Sequence, residues 1–439
     1  MCIRDRTTYD GAGSLTASAG TVTISGGSSV APTGAIQATG VITLSGSGQV
    51  STATSATINS SASSVSITST AANVSLAKNV VAATSITITP KTSYAGAGTL
   101  TAGTTLSITG GTSIDPSGSI TSVGNMSLSG SGRINLNSIN VSVTGAGTLG
   151  VTAGTLASTD GGLYITASNI TSTSGAITLT GNALTSWGFY LTTTSKVQST
   201  SGAINIIGNA PSGVWGGYLG SADVLSASGA IVIDGGVGGL VMGYGATNNI
   251  GALSAGTSSS NVTIIGDSYW TGTTALNVKT TGAVVVESEA VQFAGALTLS
   301  NHNFTGNSSL RIGKSTNSRA ATIEGSVNIV GNYDVYGTAI TQTAPVTTSS
   351  GNITFDGAGA FSNAGALNAG GGLYITGATT LSATGSWTAN AAIDIEASGN
   401  ISTNSVSSIT VNTGSLKLNS TGGTMTIGKN LSAPGPITL

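Results

Sequence analysis

The stretch Thr7–Val50, TTYDGAGSLTASAGTVTISGGSSVAPTGAIQATGVITLSGSGQV, is written a second time at Thr92–Ile134 as TSYAGAGTLTAGTTLSITGGTSIDPSGSITSVGNMSLSGSGRI. The offset is 85 at Tyr9/Tyr94 and Leu15/Leu100, then 84 from Ile24/Ile108 through Pro32/Pro116 to Leu44/Leu128, so one residue is lost between two strands. Apolar positions and glycines are kept while polar positions drift. A unit that cannot bury its own apolar face stacks on copies of itself, and an array of such units carries this signature.

Inside the long repeat lies a shorter one. Apolar pairs at i and i+2 recur as Val22/Ile24, Ile42/Leu44, Val65/Ile67, Ile86/Ile88, Leu106/Ile108 and Met126/Leu128. Two apolar residues separated by Ser or Thr mark a half-buried strand, and turns rich in Gly, Ser or Asn follow most of them. Sustained helical periodicity is absent, and 66 glycines among abundant Ser, Thr and β-branched residues disfavour helix. The spacing of roughly 20 residues between pairs fits one coil of a solenoid with three short strands and three turns. An antiparallel sandwich or barrel gives no reason for one sub-motif to return at constant phase. The predicted fold is all-β, a parallel β-helix (β-solenoid) of roughly 20 coils.

The period lengthens in the middle. SGAITLTG at Ser174 returns as SGAINIIG at Ser201 and SGAIVIDG at Ser228, so the coil has widened to roughly 27 residues. These long coils carry large side chains at one phase: Trp187, Phe189 and Tyr190, then Trp215 and Tyr218, then Met242 and Tyr244, then Tyr269 and Trp270. Stacked coils would align them in a ladder. Two readings stand: the rings fill a wider cross-section, or Trp187, Tyr190, Trp215, Tyr218, Tyr244 and Trp270 form a strip for stacking on sugars. The expected organisation is short coils over 7–173, long aromatic-bearing coils over 174–300, irregular coils or a loop insertion over 301–349, and short coils over 350–439. The opening hexapeptide MCIRDR, with three charges and the sole cysteine, reads as a non-native leader. Ile437-Thr438-Leu439 stops inside a strand motif, which reads as a fragment of a longer array.

Composition narrows the setting. With 12 basic against 14 acidic residues in 439, no basic stripe is available for a nucleic-acid backbone. Cys2 alone supports neither a disulfide framework nor a thiolate metal site. The sequence has no apolar run long enough for a membrane helix and no signal-peptide core.

Motifs for chemistry are thin. GAGTLG at Gly145 fits a dinucleotide fingerprint, but glycine is common here and no helix is expected after it. Gly313-Lys314-Ser315 lacks the first glycine of a P-loop, Ser308 standing in its place, and Gly235-Gly236-Val237-Gly238 carries Leu240 where a calcium-binding repeat needs aspartate. Asp394/Glu396 and Glu287/Glu289 each place two carboxylates on one strand face. Lys417, at the same phase one coil after Asp394, is expected to neutralise the first pair. His302 reads as a turn residue. Arg311, Lys314 and Arg319 form a basic cluster, read as a solvated loop or a contact for an anionic glycan. No cofactor, metal site or catalytic residue is expected.

SGAITLTG, SGAIVIDG, SGNITFDG and GGLYIT, repeated at coil spacing in a Gly/Ser/Thr-rich background, resemble the β-helical shafts of filamentous haemagglutinin-type adhesins and autotransporter passengers of bacteria. The resemblance covers nearly all of Thr7–Leu439. It implies a secreted or cell-surface structural shaft, not an enzyme, used for adhesion or for matrix and biofilm contacts, with surface glycans or receptors of host or neighbouring cells as partners. The alternatives are a β-helix polysaccharide-processing enzyme and an ice- or crystal-binding solenoid. The second would use the outward row Thr23, Thr43, Ser66, Thr87, Ser107, Ser127, whose serines interrupt a regular Thr lattice.

Overall fold

Val22, Ile42, Val65, Ile86, Leu106 and Met126 stand opposite one another in one parallel register, each pairing with the next coil's copy. These six side chains and their i+2 partners are 0–2% exposed. The computed structural model describes residues 2–53, 57–155, 162–211, 214–252, 256–403 and 408–439, with side chains from Thr8 onward. It is an all-β parallel β-solenoid of about 18 coils, close to the number expected. From Val22 to Leu106 is four coils, which accounts for the offset of the long repeat.

A representative coil runs through the strands Ile86–Thr89, Ser93–Gly96 and Leu100–Ala102 before Leu106–Thr109 opens the next. Along each strand buried residues alternate with exposed or half-exposed ones, as period-2 geometry requires. Each interior Ile or Leu contributes on the order of 1.5–3 kcal/mol from burial. Coil length varies while register holds. Leu149 pairs with Ile177 and Ile177 with Ile204, the long coils expected from the sequence. Ile231 pairs with Val262, a longer step still, whereas Tyr333, Ile353, Leu373 and Ile393 follow one another in short, equal steps. Over 301–349 the strands Ser309–Ile312 and Asn332–Tyr336 stay in register with their neighbours, and the added length lies in the loop 313–320.

The repeated Ser-Gly-Ala corners have a steric cause. A Cβ on Gly202 would lie 2.1 Å from the Gly175 carbonyl oxygen, and one on Gly229 would lie 2.1 Å from that of Gly202. Ser199 and Ser226 turn inward at the same corners, where their hydroxyls accept the N–H groups of Gly202 and Gly229 at 2.9 Å. Both hydroxyls are thereby satisfied, as burial demands, whereas Ser172 Oγ, one coil before Ser199 in the same column, is buried without a hydrogen-bond partner. Two corner lysines follow one plan: Lys78 and Lys429, each followed by Asn, are buried and donate to the carbonyls of Gly34 and Gly385, two coils back in each case. Burial pushes both ammonium groups below their ordinary pKa.

The chain divides into two compact units, Met1–Tyr218 with Ala222–Gly229, and Leu219–Ser221 with Ala230–Leu439. In the first, the backbone of Cys2–Tyr9 forms a strand beside Val22–Val30 with two register shifts. In the second, the core holds a polar chain in which Tyr333 Oη donates to Gln342 Oε1 at 2.9 Å and Asn363 Nδ2 to the Gln342 carbonyl at 3.2 Å.

Candidate functional site

Strand alternation decides which rings reach the surface. In Phe189–Thr192, Phe189 and Leu191 are fully buried and Tyr190 faces out, half-exposed. Tyr190 stands opposite Tyr164 of the preceding coil, with ring centroids 5.7 Å apart. Tyr218, on the strand of the following coil, stacks on Tyr190 at 4.5 Å and 17°. Trp187 lies across this stack, 53° to Tyr190 and 70° to Tyr218 at 6.0 and 5.2 Å. Such offset and edge arrangements add about 0.5–1.5 kcal/mol per pair beyond burial. The backbone is close-set here: a Cβ on Gly188 would lie 2.4 Å from the Gly216 carbonyl oxygen.

This outer group adjoins polar chemistry. The Arg133 guanidinium carbon sits 5.7 Å from the Tyr164 ring centre, within cation–π range. Tyr164 Oη is 2.6 Å from Ser186 Oγ, and Asn135, which pairs with Tyr164 in the sheet, donates to Asp115 Oδ1 at 3.0 Å. Trp215 is half-exposed and its carbonyl accepts the Gly188 N–H at 3.4 Å. Tyr190 and Tyr218 close one face of each other's rings, so the half-exposed Trp187 is the ring set across the stack rather than within it.

In the second unit, Trp270 is 55% exposed and meets Tyr244 edge to face at 5.9 Å. Its neighbour Tyr269 turns the other way. The Tyr269 hydroxyl is hydrogen-bonded to the carbonyls of Ile264 and Glu287 at 3.0 and 2.9 Å, and its ring meets the buried Phe293 edge-on. Met242 is core, 1% exposed, whereas Tyr269 stays half-exposed with its hydroxyl turned inward. The rings read from sequence as one phase thus divide between surface and interior.

Three carboxylates from successive coils gather around Tyr269, an arrangement the sequence reading missed. Burial, reinforced by Asp234, Glu287 and Asp267, drives the Tyr269 hydroxyl pKa well above its ordinary value. Asp234 and Glu287 share one register column through Ile265. Asp234 accepts the Gly236 N–H at 2.7 Å, Asp267 that of Ala290 at 2.8 Å, and Glu287 pairs with Arg311 at 2.8 Å. Burial, ahead of the Asp267 charge, raises the Asp234 pKa. Each carboxylate is engaged by a backbone amide or a guanidinium. Among the described residues no three His, Cys, Asp or Glu side chains are grouped as metal ligands would be.

The basic cluster serves the loop after Glu287. Lys314 donates to the Ala290 carbonyl at 2.9 Å and Arg319 Nε to that of Phe293 at 3.3 Å, while Arg311 pairs with Glu287; Arg319 stays exposed and Lys314 and Arg311 half-exposed. His302 corrects the expectation of a turn residue. It begins the strand His302–Thr305 opposite Leu276, 1% exposed, with Nδ1 2.7 Å from the Ser300 carbonyl. Burial lowers its pKa to about 4. Thr354, Tyr374, Asp394 and Lys417 form the outward row expected from their flanking apolar pairs. Lys417 Nζ lies 3.3 Å from Asp394 and also pairs with Glu396. An indentation lined by Phe355, Phe361 and Ile340 has a cavity volume of about 10 Å³, room for no more than a water molecule.

No protein-family model, no curated protein and no solved structure matches this chain.

Proposed function

We propose that this chain is a non-enzymatic adhesive shaft of an exported bacterial surface protein, of the filamentous haemagglutinin or autotransporter-passenger kind, that contacts surface glycans through its long coils. The observation that carries this reading is the outward placement of Trp187 beside Tyr164, Tyr190 and Tyr218, and of the 55% exposed Trp270, on a scaffold otherwise poor in aromatic residues. Aromatic faces match the apolar faces of sugars, while Arg133, Asn135 and Asp115 supply hydrogen-bonding groups beside them. The carboxylates near Tyr269 are tied to backbone amides and Arg311, which favours adhesion over polysaccharide cleavage.

A glycan screen of the intact chain tests this reading, compared with a Trp187→Ala, Trp270→Ala double variant. Retention of one or more glycans by the intact chain, lost in a variant that melts normally, supports it. Unchanged binding, or no glycan retained by either, rejects the aromatic strip.

A further inference from the structure

A different face of the first unit carries two parallel columns of hydroxyls. In the strands that open six consecutive coils, the two outward residues are Ser or Thr every time, from Thr23 and Ser25 through Thr87 and Thr89 to Ser127 and Ser129. The twelve positions comprise six Thr and six Ser, all half-exposed or exposed. The other outward rows of the same coils are not kept this way. One bears Gln37, Asn59 and Val81 in succession, and another Ala95, Asp115 and Asn135. Solubility and strand propensity act equally on all three faces, so they do not explain why one alone is restricted to hydroxyls.

The sheet fixes this array at about 4.8 Å along a column and about 6.7 Å between columns, over about 24 Å. Each hydroxyl is both donor and acceptor, and Ser107 Oγ already lies 2.8 Å from Thr109 Oγ1 across the two columns. Neither column carries a charge. The matching partner is neutral, extended and periodic in hydroxyls. Half the positions lack the Thr methyl, which interrupts the mixed methyl and hydroxyl lattice that would order water as ice. We propose that this face binds a neutral fibrous polysaccharide lying along the columns. One hydroxyl contact exchanged for water contributes little, so affinity comes from engaging several coils at once.

Co-sedimentation of the intact chain with microcrystalline cellulose and with chitin tests the proposal. The intact chain pellets with at least one of them. A Thr43→Glu, Thr87→Glu, Ser127→Glu variant partitions at least tenfold less, while Gln37→Glu, Asn59→Glu, Thr101→Glu on the neighbouring face partitions as the parent does. Where the first variant melts lower, Thr43→Gln with Thr87→Gln, bulky and neutral, replaces it and shows the same direction of loss. Failure to pellet with either fibre, equal loss from both faces, or shaping of ice crystals without pelleting overturns the proposal. The Trp187→Ala, Trp270→Ala variant still pellets, so failure here is distinguishable from failure of the aromatic strip.

Discussion

The indole N–H of Trp387 donates to Asn363 Oδ1 at 2.8 Å inside the core of the second unit, joining side chains on two faces of the solenoid. Asn363 in turn donates to the Gln342 carbonyl, and Gln342 accepts the hydroxyl of Tyr333. Two of the largest buried side chains are thereby satisfied without water. Asn363→Ala strands the indole N–H and opens space, and is expected to cost about 2–4 kcal/mol. Asn363→Asp, which keeps the acceptor but buries a carboxylate, is expected to recover stability only at acidic pH. Urea denaturation of the three proteins at pH 4 and pH 7 checks this.

Glycine substitutions should separate by place. Gly202→Ala drives a methyl to within 2.1 Å of the Gly175 carbonyl oxygen, a backbone atom that yields only if the coils part. A loss of several kcal/mol is expected. Gly13→Ala meets nothing within 4 Å, and is expected to stay within about 0.5 kcal/mol. Thermal melts of the two variants side by side decide it.

His302 gives a pH dependence of known sign. Its folded pKa of about 4 lies below its unfolded value, so the native protein resists the proton that the unfolded chain accepts. The neutral imidazole's share of stability is full above about pH 6.5, declines as pH falls, and is gone below about pH 4, about 3 kcal/mol in all. His302→Gln should flatten that segment of the curve. Hydrogen exchange in the strands Leu276–Lys279 and His302–Thr305, followed from pH 7 to pH 4 in both proteins, shows whether the slope belongs to this residue.

Ile206→Asp places an unpaired carboxylate at a fully buried position. Because each coil contacts its neighbours, the loss of several kcal/mol should be local. Exchange should accelerate in Ile177–Asn182 and Ile204–Asn209 while Ile86–Thr89 stays protected. Uniform loss of protection from Ile86 to Ile206 would show a single cooperative block instead.

What the sequence made legible was whatever came with an apolar pair to fix its phase. Val22/Ile24 and its copies set the first register, and Ile393/Ile395 with Leu416/Leu418 placed Asp394 opposite Lys417. Tyr269 and Trp270 lacked such a pair, and adjacent strand residues point to opposite faces, so the division of one inward and one outward was hidden. His302 reads from sequence as a turn residue because it is polar, although Phe304 at i+2 is the apolar companion that marks an inward position. Asp234, Asp267 and Glu287 come together across a long coil, Ile231 to Val262, and a short one, Val262 to Val284. Unequal lengths erase the regular spacing that would have linked them.

Coils as short as Ile353 to Leu373 and as long as Ile231 to Val262 present the same strand positions to their neighbours, so the corners absorb the difference. A single residue inserted inside a strand turns the later side chains of that strand to the wrong face. The same residue inserted in a corner such as 313–320 leaves the ladder intact. Lengthening and grafting are therefore confined to the corners, where a foreign peptide can be carried without renegotiating the interior.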